Sequence, residues 1–144
     1  MYRVLLPIDT NEGRALAQAD YVASLPCAGD EVSAYLLFVF TGDEGEDLPE
    51  ELGQFKSATR VGSIRRAREV LDEHGVEVHV VDDSGEAAAD ICDRADDLEV
   101  DEIVLGGRKR SAVGKAVFGS VTQSVIRNTD RPVVVTGGRR GGTD

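Results

Sequence analysis

Apolar residues fall along this chain in two alternating patterns: short unbroken runs, and longer stretches in which they recur every three or four positions. The first run, RVLLPID over residues 3–9, ends in Pro and Asp and has the form of a strand buried on both faces. Residues 12–24 then place Ala15, Leu16, Ala19, Val22 and Ala23 on one face of a helix. VSAYLLFVF (32–40) predicts a second buried strand, followed by an acidic connector, TGDEGEDLPE, read as a solvated loop rather than a metal site. A long amphipathic helix is expected over about 50–74, stopping at Gly75, since glycine tolerates the left-handed backbone that ends helices.

The alternation continues with a strand at VEVHVV (76–81) and a helix over about 86–98 through Ala87, Ala88, Ile91 and Ala95. A strand at DEIVLGG (101–107), a helix over 120–128 and a short strand at PVVVT (132–136) complete the series. Pro132 opens that last strand, where no ladder donor is lost. Strands alternating with helices predict an α/β fold: an open parallel sheet with helices on both faces, connected by right-handed crossovers. One domain over 1–137 is expected, with GRRGGTD as a flexible C-terminal tail at 138–144.

Charge narrows the function. Sixteen basic against 27 acidic residues leave a net charge of −11, so a polyanion such as nucleic acid is repelled overall. An anionic ligand must therefore be captured locally. The acidic surface suits either a very salty cytoplasm or an ordinary acidic protein. Cys27 and Cys92 stand far apart and away from histidine, which gives neither a zinc pattern nor a redox pair. His79 reads as a plain strand residue. No apolar run is long enough to span a bilayer, and MYRVLLPIDT lacks the apolar stretch and cleavage site of a signal peptide. A cytoplasmic protein without a membrane partner is expected.

In an open parallel sheet, ligands bind beyond the carboxyl ends of the strands where the winding reverses. Two segments fit that place: Pro7-Ile8-Asp9-Thr10, ending the first strand, and GGRKRSAVGKAVFGSVT (106–122), following the fourth. In the second, Gly106 and Gly107 would let backbone approach a ligand, and Arg108, Lys109, Arg110 and Lys115 gather positive charge. Gly119-Ser120-Val121-Thr122-Gln123 opens a helix, and Ser120 with Gln123 has capping-box spacing. Free amides and the helix dipole there favour an anion. Each feature also has a plainer reading: Ser120 as an N-cap, the basic residues as solvated charge, and Asp9 or Thr10 as the cap of the first helix. Asp9 as an acceptor for a ribose hydroxyl or base amine weighs equally with that cap.

Several familiar sites are absent. Gly114-Lys115 is preceded by Lys109 where a Walker A loop needs glycine and followed by Ala116 where it needs a hydroxyl. PIDTNEG is not a dinucleotide fingerprint, no G-x-S-x-G elbow occurs, and His74 and His79 have no nucleophile at catalytic spacing. A flavin carrier is disfavoured by the lack of tryptophan and of an aromatic-flanked phosphate loop after the first strand. Nothing positions a water or supplies an obvious base, so ordinary hydrolase chemistry has no support.

From VLLPIDTNEGRALAQA through PVVVT the chain resembles the universal stress protein family. Val4-Leu5-Leu6-Pro7-Ile8-Asp9 matches that family's V-L-x-P-x-D start, and Leu37-Phe38-Val39 its second strand. Ser84-Gly85-Glu86-Ala87 is similar to its G-[DE]-x-A helix entry. Its G-x2-G-x9-G-[ST] signature is met by Gly106, Gly119 and Ser120, with Lys109 in place of the second glycine. If that position needs a left-handed backbone, lysine costs roughly 1–2 kcal/mol there. In a shifted loop, its ammonium supplies by charge what glycine supplied by close approach.

The resemblance implies a sheet of order 3-2-1-4-5, in the adenine-nucleotide α-hydrolase-like, flavodoxin-like arrangement. It implies ATP, with or without Mg2+, as ligand. Asp9 and Val39 would hold the adenosine, with Pro7 alongside. Gly106, Gly107, Arg108, Lys109 and Arg110 would line the phosphates, and Gly119, Ser120, Val121 and Thr122 would bind them from the helix end. It further implies a homodimer through the last strand, Pro132 to Thr136, an apolar edge that a partner strand would satisfy. Two functions follow: a stress-response switch governed by adenine-nucleotide occupancy, or, given Lys109, a nucleotide-free homodimeric interaction module.

Overall fold

The structure is a computed structural model that describes residues 1–9, 11–38, 62–81, 87–107 and 120–137. Chain order is β1 (Tyr2–Ile8), α1 (Glu12–Ala23), a short α2 (Ala28–Glu31), β2 (Val32–Phe38), α3 (Gly62–Glu73), β3 (Glu77–Val81), α4 (Ala87–Leu98), β4 (Glu102–Gly106), α5 (Ser120–Asn128) and β5 (Val133–Thr136). All pairings are parallel and the order is β3-β2-β1-β4-β5, as the family resemblance implied. Among the described elements, α2 alone has no counterpart in the periodicity, because its four residues are too few to show one. The acidic connector and the first half of the helix expected from residue 50 lie outside the described residues.

Alternation along β1 divides the core. Val4, Leu6 and Ile8 pack with Ala15, Ala19 and Val22 of α1 and Ile64, Ala67 and Leu71 of α3. Leu5 faces the other way, joining Ile103 and Leu105 of β4 with Ile91 and Ala95 of α4 and Val125 of α5. Continuous apolar runs are thus strands covered by helices on both faces. Gly75, at φ +74°, ends α3 in the left-handed backbone expected of it. Pro132 precedes β5, and its carbonyl accepts from the Ile103 amide at 2.9 Å, so its missing N–H costs no ladder bond.

Several polar residues on β2 and β3 have structural partners. His79 lies exposed on β3, stacked on Tyr35 with ring centroids 4.9 Å apart, its Nε2 2.9 Å from Glu77 Oε2. The Ser33 hydroxyl donates to the same oxygen, and that bond, with His79 second, draws the Glu77 pKa below its ordinary value. Cys27 and Cys92 are both free thiols. Among the described residues no helix is long and apolar enough to cross a membrane, and no cluster of acidic, histidine and cysteine side chains could hold a metal ion.

The sheet is not evenly zipped. β1 and β2 stay in register from Tyr2↔Val32 to Ile8↔Phe38, whereas β1 and β4 pair only at Val4↔Glu102 and Leu5↔Ile103. Strand order reverses between β1 and β4, the kind of switch point at which open parallel sheets bind ligands.

Candidate functional site

The fork has a sequence cause. Arg3 O takes the Asp101 amide at 2.7 Å, so the odd-numbered backbone groups of β1 face β4. Pro7 shares that parity and has no N–H to give, so the ladder stops and Val104 O on β4 loses its next donor. Gln18 replaces that donor. Its Nε2 donates to Val104 O at 2.9 Å and to Pro7 O at 2.7 Å from a side chain only 1% exposed. One carboxamide from α1 thereby satisfies two carbonyls that the splayed strands leave unpaired. Pro7 is buried and belongs to the wall of the crevice, with its carbonyl already occupied.

Asp9 stands at the lip, one residue beyond β1. Its Oδ1 accepts from the Asn11 amide at 2.9 Å, and its Oδ2 takes Arg14 Nε at 3.0 Å and Nη2 at 2.8 Å. Its backbone carbonyl accepts from Ser63 Oγ at 2.5 Å, which ties the start of α3 to the end of β1. The cap of α1 is neither Asp9 nor Thr10. Asn11 occupies that position, its Oδ1 accepting from the Arg14 amide at 2.9 Å. Asp9 instead braces the turn that presents Asn11, and Thr10 lies outside the described residues.

The two glycines at the end of β4 stand close to the protein's own atoms. A Cβ on Gly106 would come within 3.1 Å of both Arg14 Cβ and Gln18 Oε1. On Gly107 it would fall 2.4 Å from Thr136 O, the carbonyl that accepts the Gly107 amide at 2.8 Å. Gly106 therefore makes room for α1, and Gly107 for the close approach of β5. At both positions, packing within the protein is sufficient reason for glycine.

α5 is described from Ser120 onward, and the residue before it lies outside the described residues. Val121 packs its side chain into the second core, so anything it offers a ligand comes from its amide, and Thr122 is buried at 8% exposure. Val39, Arg108, Lys109, Arg110 and Gly119 lie outside the described residues, as does Lys115. The described part of the site thus brings together Asp9, the end of β4 at Gly106 and Gly107, and the α1 side chains Arg14 and Gln18.

Sequence reading missed Arg14, Gln18 and Ser63. Gln18 had a visible signal, since it falls within the stripe Ala15, Ala19 and Val22, where a polar residue must find buried partners. Arg14 and Ser63 had none, because their partner Asp9 is set by the turn and by α3 docking.

Comparison with known proteins places this geometry. Residues 1–137 match the model of the universal stress protein family. The universal stress protein Sll1654 of Synechocystis is 30% identical over 133 residues, covering 92% of this chain and 83% of that protein. The universal stress protein structure from Archaeoglobus fulgidus is 26% identical, covers 94% of this chain and 98% of its own, and superposes with a TM-score of 0.66. Others share the fold at lower identity. A universal stress protein from Archaeoglobus fulgidus in complex with dAMP is 21% identical (TM-score 0.61; 94% and 97% covered). A universal stress protein in complex with cAMP is 14% identical (0.64; 94% and 96%), and an Arabidopsis thaliana family protein with AMP bound is 11% identical (0.59; 98% and 94%).

Proposed function

The chain belongs to the universal stress protein family, and from that premise we propose that it is a cytoplasmic stress-response protein that binds ATP or a related adenine nucleotide, its occupancy serving as a regulatory state. The observation that carries this reading is the fork between β1 and β4, with Asp9 at its lip and the end of β4 beside it. Ligand sites of open parallel sheets form at such a reversal. Family proteins of the same fold hold dAMP, cAMP and AMP, which supports an adenine nucleotide as the ligand class.

In this reading the adenosine lies against Asp9 and Val39 with Pro7 behind, where Oδ1 of Asp9 keeps one lone pair for a ribose hydroxyl or base amine. Phosphates run past Gly106, Gly107, Arg108, Lys109 and Arg110 toward the amides of Gly119, Ser120, Val121 and Thr122, where the α5 dipole favours negative charge. Mg2+ would accompany a triphosphate as its counter-ion. Residues 1–137 form the single domain and 138–144 its tail. β5 hydrogen-bonds to β4, and its four half-buried residues are the strand through which a homodimer would form.

Isothermal titration with ATP and magnesium, and with AMP, is the test. Saturable binding is expected; no heat at millimolar nucleotide with folded protein refutes it. Lys109 favours the second reading, a nucleotide-free dimeric interaction module. A Lys109→Gly variant that gains ATP binding absent from the parent, with both dimeric by sedimentation, would select that reading.

A further inference from the structure

The nucleotide reading leaves one charged side chain in the crevice without a role. Arg14 projects from the first turn of α1, and its Cβ and Cδ lie over Gly106, 3.1 and 3.4 Å from where a Cβ on that glycine would stand. It crosses to Asp9 and gives both Nε and Nη2 to one carboxylate oxygen, Oδ2. At 27% exposure the side chain is half-buried and its path is fixed at both ends. Two donors are spent on Asp9, so Nη1 and the second Nη2 proton remain, with no partner among the described residues.

An arginine needed only to fix a carboxylate would match its two oxygens side by side, in the paired geometry that such ions prefer. Here both donors converge on one oxygen, while Oδ1 is taken by the Asn11 amide. The guanidinium is thus held by its inner edge with its outer edge unspent, between the ends of β1 and β4. Its charge also compensates Asp9. Without it, an anionic ligand would meet an uncompensated carboxylate at the mouth of the crevice, in a chain whose net charge is already −11.

Resting on the nucleotide reading, we infer that Arg14 is a specificity-determining residue: it bridges Asp9 and a phosphate oxygen of the ligand, and so makes the site prefer a phosphorylated nucleoside to the bare nucleoside. Lysine cannot do both, because its ammonium is a single point charge without the fork.

The test is the ratio of adenosine to AMP dissociation constants, measured by titration at fixed salt for the native protein, R14Q and R14K. The native protein should prefer AMP. In R14Q the ratio should fall about tenfold or more, the usual worth of a charge-assisted contact, through weaker AMP binding with adenosine little changed. In R14K it should fall about threefold or more. Adenosine and AMP weakened in equal proportion would mark Arg14 as a structural brace and overturn the inference, as would an unchanged ratio in both variants. If R14Q does not fold, R14K decides alone by the same criterion. A native protein that binds both ligands while the ratio resists mutation leaves the nucleotide reading standing. One that binds neither removes both.

Discussion

Replacing Gln18 by leucine removes the two N–H bonds that hold the fork while keeping the volume of the side chain. Pro7 O and Val104 O would both be left buried without a donor. Each orphaned carbonyl costs about 1–3 kcal/mol. Leucine returns about 1–2 kcal/mol through added apolar contact with Ala15 and Ala19 beside it. The net loss should be about 3 kcal/mol, which in urea, at a slope of about 2 kcal/mol/M, lowers the unfolding midpoint by roughly 1.5 M. A domain with a stability of about 5–15 kcal/mol remains folded after such a loss, so the change is measurable by circular dichroism. A second substitution isolates the cause. Pro7→Ala restores an amide that points at Val104 O, at a cost of about 0.4–1 kcal/mol through the freer unfolded chain. In the double-mutant cycle, Pro7→Ala should recover part of the Gln18→Leu loss, with a coupling of about 1 kcal/mol. A coupling of zero would refute the idea that Gln18 stands in for the missing proline amide.

Two further substitutions probe the elements around the fork and the opposite rim of the sheet. Gly107→Ala drives a methyl to 2.4 Å from Thr136 O, a backbone atom that yields only if β5 moves, and should cost about 2–3 kcal/mol, read as a melting point roughly 5–10 °C lower. A neutral Gly107→Ala would mean that the close approach of β4 to β5 is not what requires glycine. At the amino ends of the strands, the Tyr2 hydroxyl donates to Glu102 Oε2 at 2.6 Å, and that bond, ahead of burial and the nearby carboxylates, pushes the Tyr2 pKa well above its ordinary value. The unfolded chain then loses this proton near pH 10 while the native state keeps it, so stability falls as pH rises beyond that point. Tyr21 titrates upward as well, chiefly by burial, so some slope will survive. Denaturant unfolding between pH 9 and 11 should therefore show a shallower alkaline loss in Tyr2→Phe; identical slopes would contradict the assignment.

Periodicity alone was enough for the architecture, because every strand but the edge ones is a buried apolar run and every long described helix carries an apolar stripe. Strand order was not in the periodicity; it came with the family resemblance. The site was legible in position and less so in cause. Asp9 and Gly106 do stand at the switch point, yet the cap went to Asn11, because capping depends on which residue first leaves helical backbone, and neighbouring Asp, Thr and Asn all fit the composition. Glycines at a strand end suggested ligand approach, but the same lack of a Cβ serves helix and strand packing, and only the neighbours of each glycine decide between them.

Pro7 connects the legible part to the rest. As a residue of a central strand it breaks a local rule, since proline is rarely accommodated where both edges are paired. Such violations point to function when a second residue has been recruited to make them tolerable. Gln18 is that residue: its carboxamide sits in an otherwise apolar stripe to donate where Pro7 cannot. Arg14, one turn earlier on the same helix, crosses the opening that results and seizes Asp9. Proline opens the sheet, glutamine makes the opening stable, and Gly106 leaves the space through which both α1 side chains reach it. The V-L-x-P-x-D start therefore encodes more than a strand and an acidic residue, because its proline ends the β1–β4 ladder just before its aspartate.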